Sequence, residues 1–139
     1  MFLNILCYIF MNYKNYQLGD YVLARGKVHK ITKVEKGNIY NDKEEIIPDY
    51  LILLSRNVLL SCGFHEQEDF FLVKFSNNNM AKVIPVGSRW VLSIFIYPHF
   101  GAIAEYKIDS LVQLQHKLRE SLGEELSIND KMITAAVQL

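Results

Sequence analysis

The hydrophobic and polar positions along the chain predict a run of short strands over residues 12–54. Apolar and β-branched segments such as Tyr21-Val22-Leu23-Ala24 are separated by glycine turns, a pattern typical of small antiparallel sheets. Val28 to Val34 is apolar only at every third position, so a bulge or strong twist is needed to bring Ile31 inward. Several short strands in about 35 residues predict a small SH3-like β-barrel.

Residues 55–64 have the pattern of one short helix. The Ser55 hydroxyl is placed to cap its N-terminus. Gly63 is placed to end the helix in the left-handed conformation, with Phe64 packing back against it. The apolar side of this helix is predicted to consist of Val58, Leu59 and Cys62.

Residues 65–139 predict an antiparallel meander with a packed C-terminal helix, so the chain belongs to the α+β class. The strands are predicted at 70–75, 80–86, 89–97 and 102–106. The clearest helix spans 108–122 and stops at Gly123. After it, Ser127 and Asp130 have capping-box spacing, which predicts either a last helix or a frayed tail. The sequence leaves two domain organisations open: the barrel (12–54), the short helix (55–64) and the meander with its helix (65–139) are separate units, or they form one integrated domain.

The strand at 89–97 is apolar on two faces, which predicts burial on both sides. Trp90, Leu92, Ile94 and Ile96 would share one face, and Val91, Phe95 and Tyr97 the other. One helix covers only one side of a four-stranded sheet. The other side must meet the barrel or a second copy of the chain, so Val91, Phe95 and Tyr97 are the candidate self-association residues.

The N-terminal extension, residues 1–11, is almost wholly apolar. It is too short to span a bilayer, which takes about 20 residues, and it lacks the basic region and cleavage site of a signal peptide. Three interpretations stay open: a wrongly assigned start with Met11 as the true one, an extra strand or helix, or a weak membrane-surface anchor.

Composition narrows the function classes. Of the 139 residues 50% are hydrophobic, which is enough for a core. The formal net charge is zero, so the chain as a whole is not a general polyanion binder, and nothing keeps copies apart. Two cysteines, Cys7 and Cys62, are too few for a disulfide framework. These features predict a cytoplasmic protein without membrane partners.

One charge asymmetry stands out between residues 14 and 36. Basic residues outnumber acidic ones there, and tyrosines lie among them. On a small barrel such a face would bind single-stranded nucleic acid, or it would protect sheet edges from aggregation. Acidic residues at 42–45 would neutralise the face within the same domain. The candidate nucleic-acid-binding residues are Arg25, Lys27, His29, Lys30 and Lys33.

Reactive groups form no recognisable catalytic or metal constellation. Cys62 and His65 have a plausible metal-ligand spacing, but no second pair completes a zinc site. Cys62 lies among apolar residues, which predicts a buried, inert thiol. We therefore expect no catalytic residues, no metal, no cofactor and no enzymatic activity.

Several segments carry a family resemblance. The sequence NYKNYQLGDYVLARGKVHKITKV from Asn12 resembles the opening of small uncharacterised proteins encoded by phages, prophages and mobile elements of gut bacteria, whose start matches Met11. Leu54 to Phe64 resembles their Leu-Thr-Glu-Glu-x-Leu-Leu-x-x-Gly-Phe helix, with Arg56-Asn57 replacing the Glu-Glu pair. Leu111 to Gln115 resembles their Val-His-Gln-Leu-Gln helix, with Val112 replacing the histidine. The resemblance implies a small accessory protein of a mobile element, acting in the bacterial cytoplasm. The two apolar faces of the strand at 89–97 predict a non-enzymatic interaction protein that binds a protein partner or a second copy of itself.

Overall fold

The structure is a computed structural model that describes residues 16–24, 26–47 and 50–137. The apolar extension 1–11, Arg25 and the question of the true start lie outside the described residues. The chain forms two compact units, Met1–Ile52 and Leu53–Leu139, and each is described by itself. The predicted domain limits stay a prediction. Mixed helices and antiparallel sheets confirm the α+β class.

The first unit consists of two small antiparallel sheets. A two-stranded sheet pairs β1 with β2, and a three-stranded sheet has the order β3-β4-β5. The described strands close no barrel, so the SH3-like barrel stays a prediction. The strands are β1 Tyr21–Ala24, β2 Lys27–Lys30, β3 Lys33–Glu35, β4 Asn38–Tyr40 and β5 Ile46–Ile47.

The stretch from Val28 to Val34 is two strands rather than the one strand predicted. The chain leaves β2 at Ile31, whose N–H donates to the Asp20 carbonyl (2.8 Å) and whose carbonyl accepts from Gly19 (2.9 Å). The Thr32 N–H then donates to the carbonyl of Tyr40 (2.9 Å), which starts the second sheet. Ile31 is buried as predicted, at 1% exposure. A change of pairing partner, not a bulge, turns it inward.

The second unit is built on a five-stranded antiparallel sheet with the order β10-β9-β8-β7-β6. Its strands are β6 His65–Glu66, β7 Phe71–Lys74, β8 Met80–Val86, β9 Arg89–Phe95 and β10 Ala104–Ile108. Its helices are α1 Arg56–Ser61, α2 Leu111–Leu122 and α3 Asp130–Ala136. The predicted antiparallel order of four strands is present, with ends that differ by at most two residues, and a fifth strand, β6, was not predicted. None of the described helices is long and apolar enough to cross a membrane.

One face of this sheet carries the core. Val83, Leu92 and Ile94 are fully buried on that face, since residues paired across neighbouring strands share a face. Helix α2 lies over it, because Lys117 of α2 places its ammonium 4.6 Å from the ring of Tyr106, the register partner of Leu92.

The second face is only half covered within one chain. Val91 and Phe95 are half-buried there, and Tyr97, beyond the end of β9, is 65% exposed. The prediction that both faces of the long strand are buried is therefore wrong for these residues. Lys82 and Glu105, both paired with Ser93 in the register, share this face and make it partly polar.

The short helix α1 has the predicted ends. The N–H of Val58 donates to the Ser55 hydroxyl (3.2 Å). Gly63 has a φ of 88°, and the N–H of Phe64 donates to the carbonyl of Leu59 (3.2 Å), which closes the C-terminus. Leu59, Phe64 and the predicted apolar partners are buried.

Helix α2 begins later than predicted, at Leu111, because Ser110 caps it. Ser110 accepts from the N–H of Gln113 (3.3 Å), and the Gln113 side-chain oxygen accepts from the N–H of Ser110 (3.0 Å). The predicted last helix exists as α3, but Asn129 is its cap, accepting from the N–H of Met132 (3.0 Å). The prediction that Ser127 caps it is wrong, because Asn129 directly precedes the first helical residue.

Candidate functional site

The structure brings part of the predicted basic face to one cleft of the first unit. Lys27 and His29, on the same side of β2, line a cleft of about 410 Å³. Lys30 and Lys33 do not line it. The side chain of Lys30 points away from Lys27 and His29, because side chains alternate along a strand. Arg25 lies outside the described residues. The five predicted residues thus do not form one surface among those described.

Asn41, which was not predicted, also lines the cleft and holds the turn after β4. It is only 3% exposed. Its side-chain oxygen accepts from the N–H groups of Lys43 and Glu45, each at 3.0 Å. Its amide nitrogen donates to the Glu45 carboxylate (3.2 Å) and lies 3.5 Å from Nδ1 of His29. Asn-Asp after a predicted strand is a recognised turn signal, which was the clue in the sequence.

The charges in the cleft are balanced. Lys27 and Lys43 are its cations, and Asp42 and Glu45 are its carboxylates. Because these charges are equal in number, the cleft has no excess positive charge to hold a phosphate backbone. Acidic residues of the 42–45 loop thus lie in the same cleft as Lys27 and His29, and the neutralisation of the whole basic face stays a prediction.

Lys33 forms an ion pair and a cation–π contact within its own sheet. Its ammonium lies 2.9 Å from the Glu35 carboxylate and 5.1 Å from the ring centre of Tyr40. The hydrogen bond and the attraction of Glu35 raise the pKa of Lys33. Lys33 is thus less available to an external phosphate than an unpaired lysine.

The candidate self-association residues lie in the second unit. Val91 and Phe95 share the half-covered face of the sheet, and Tyr97 begins the connection to β10. That connection, residues 96–103, is here called the apolar loop. It also exposes Phe100 completely and Ile103 by 48%. Sequence reasoning missed Phe100 and Ile103, although a large aromatic between Pro98 and Gly101 in a turn was a visible signal.

The candidate thiol is buried. Cys62 is 0% exposed, so its predicted burial is confirmed, and burial raises its pKa to about 12. The inertness of this thiol stays a prediction. His65 is exposed on β6. Across the described residues no group of three or more metal-ligating side chains comes together.

Comparison with known proteins adds no identity. No protein-family model matches the sequence, and no match is found among curated proteins or among solved structures. The resemblance to phage and mobile-element proteins therefore stays a prediction, and the function must be argued from the surfaces described above.

Proposed function

We propose that this protein is a non-enzymatic interaction protein that works as a homodimer, as an accessory protein of a phage or mobile element in the bacterial cytoplasm. The observation that carries the proposal is the apolar loop, where Phe100 is fully exposed and Tyr97 is 65% exposed. Aromatic side chains as exposed as these contribute little to the core of their own chain. They are the residue types enriched in protein interfaces.

The expected gain from covering this loop is large enough to drive association. Burying one exposed Phe or Ile side chain stabilises by about 1.5–3 kcal/mol. A symmetric dimer covers each such residue twice. Because the net charge is zero, no long-range repulsion opposes a second copy. These points favour the chain itself as the partner.

The two units have different roles in this proposal. The second unit supplies the contact. The first unit is proposed to be an open relative of the SH3-like barrel, in which the Ile31 N–H donates to the Asp20 carbonyl and the Thr32 N–H donates to the Tyr40 carbonyl. The buried, protonated Cys62 supports a non-enzymatic role, because its thiolate is not accessible as a nucleophile.

Light scattering across a concentration series tests the proposal. We expect the wild type to be dimeric at about 100 µM and Phe100→Ser to shift the equilibrium toward monomer by at least about tenfold. Tyr50→Ser is the matched control, because Tyr50 is 57% exposed in the first unit. It should leave the equilibrium unchanged. A wild type that stays monomeric throughout the series contradicts the proposal.

A second candidate is single-stranded nucleic-acid binding by the first unit. The observation that favours it is that two of the predicted residues, Lys27 and His29, line one cleft of about 410 Å³. Because Asp42 and Glu45 balance the cations of that cleft, any binding is expected to be weak and confined to low salt. Fluorescence anisotropy with a labelled oligonucleotide at several salt concentrations tests it. Binding at low salt should weaken in Lys27→Glu and persist in Lys74→Glu, which changes an exposed lysine of β7. Absence of binding at low salt excludes this candidate.

A further inference from the structure

The outer edge of β10 offers a second copy of the chain a specific place to pair. Strand β10, Ala104–Ile108, is the last strand of the five-stranded sheet, and among the described residues no strand pairs with its outer side. Glu105 and Lys107 are exposed on it. An open edge of this kind presents backbone donors and acceptors to any incoming strand.

Hydrogen bonding at the end of β10 determines which residues face outward. The Asp109 carbonyl accepts from the N–H of Leu54 (2.9 Å), which belongs to a segment bridged to Ser110. That carbonyl therefore points away from β9. Because alternate residues of a strand direct their backbone groups to the same edge, Glu105 and Lys107 also direct theirs outward.

The same segment limits the length of the open edge. Leu53 and Leu54 occupy the edge at Asp109 and Ser110. At the other end the apolar loop begins before Ala104. An added strand thus has the five residues of β10 to pair with, and their centre is Tyr106.

We propose that β10 pairs antiparallel with β10 of a second copy, about a two-fold axis at Tyr106, so that Glu105 of each copy lies directly opposite Lys107 of the other. The inference rests on the proposed homodimer and specifies its geometry. In this register the outward residues Glu105 and Lys107 form the hydrogen-bonded pairs, and each pair exchanges two backbone bonds. Tyr106 meets its own copy in the pair between them.

The charge order of the edge supports this partner. Directly opposite side chains of an antiparallel pair interact, and opposite charges there attract. Charges of one sign at an edge, often lysines, repel a second copy. Here a glutamate and a lysine stand symmetrically about the centre of the open segment, so two copies attract in this register and repel if shifted by two residues.

The register also accounts for exposed apolar residues at both ends of the edge. Residue 104 of one copy would lie opposite residue 108 of the other, where the open edge ends. The next residue, Ile103, which is 48% exposed, is thereby brought toward Leu53 of the second copy, which is 66% exposed. The apolar loop of each copy is thereby carried to the contact.

Charge exchange tests the inference by sedimentation equilibrium of the full chain. Glu105→Lys and Lys107→Glu should each raise the dimer dissociation constant by at least about tenfold, because each places like charges opposite one another twice. The double variant, Glu105→Lys with Lys107→Glu, restores opposite pairs and should return to within about threefold of wild type. Glu68→Lys changes an exposed loop residue of the same unit by the same charge and should have no effect.

A backbone variant gives independent evidence. Lys107→Pro removes an outward N–H without removing a bond to β9, and it should abolish dimerisation while circular dichroism stays that of the wild type. A dimer that tolerates both single charge variants, or a double variant that is as weak as the singles, overturns the edge pairing but leaves the homodimer proposal standing. A wild type that is monomeric at every concentration overturns both.

Discussion

Asn41 is expected to hold the loop at the cleft together, and its removal gives a measurable loss of local stability. Asn41→Ala deletes two hydrogen bonds from the N–H groups of Lys43 and Glu45, and one to the Glu45 carboxylate. At about 0.5–1.5 kcal/mol net for each bond, and with exposed partners that water can reach, we expect a loss of about 2 kcal/mol.

Hydrogen exchange of backbone amides measures this loss at the site. A change of about 2 kcal/mol corresponds to exchange about 30 times faster for the protected amides of residues 38–47. Asn38→Ala is the matched control, because Asn38 is exposed on β4, and it should change stability by less than about 0.5 kcal/mol. Exchange in Asn41→Ala within about threefold of wild type would refute the assignment of Asn41 as the organising residue.

Asn41→Asp tests the side-chain oxygen of Asn41 separately from its amide nitrogen, because aspartate keeps the acceptor and loses the donor. The aspartate keeps the two backbone bonds but places a carboxylate beside that of Glu45, at the position where the amide nitrogen is now 3.2 Å away. Repulsion between the two carboxylates should destabilise the loop, so its amides should exchange faster than in wild type and should slow as added salt screens the charges. Exchange that does not depend on salt between about 0.05 and 1 M would contradict this account.

Three further predictions concern the second unit. Ser110→Ala should lower the free energy of urea unfolding by about 1 kcal/mol, followed by the fluorescence of Trp90, because it removes the cap of α2; an unchanged midpoint argues against the cap. Gly63→Ala should lower the free energy of unfolding by about 1 kcal/mol in the same assay, because alanine rarely adopts the φ of 88°. Steric contact adds nothing to this loss, since the added methyl meets no atom closer than 3.7 Å. Gly63→Asn should lower stability less, because asparagine tolerates this conformation better. Cys62 should resist thiol reagents at pH 8 until urea is added, and mass spectrometry of peptides can report its labelling separately from that of Cys7. The contribution of the Cys62 thiol to stability should be lost as pH rises from about 9 toward about 12. Rapid labelling of Cys62 in the native protein would refute its burial.

The candidate surfaces were predictable only in part, for reasons that lie in particular residues. Lys27 and His29 were predicted from the local excess of basic residues, and alternation along β2 places both side chains on one side of the strand. Lys43 and Asn41 were not, because the turn after β4 carries them to the same cleft, and that approach depends on the pairing of β4 with β5. Lys33 was predicted as a ligand but is paired with Glu35 on its own strand.

The sequence by itself determined the local structure: helix ends at Ser55, Gly63 and Gly123, the strand limits of β8, and the α+β class. Each of these depends on backbone geometry or side-chain periodicity within about ten residues, which the residue types specify directly. The tertiary structure alone decided which strand pairs with Ile31, which face of β9 is covered, and where the edge of β10 stays open. Those features depend on which distant segments pair with the same backbone groups. Every residue type offers similar backbone groups, so the sequence of one segment does not specify its partner.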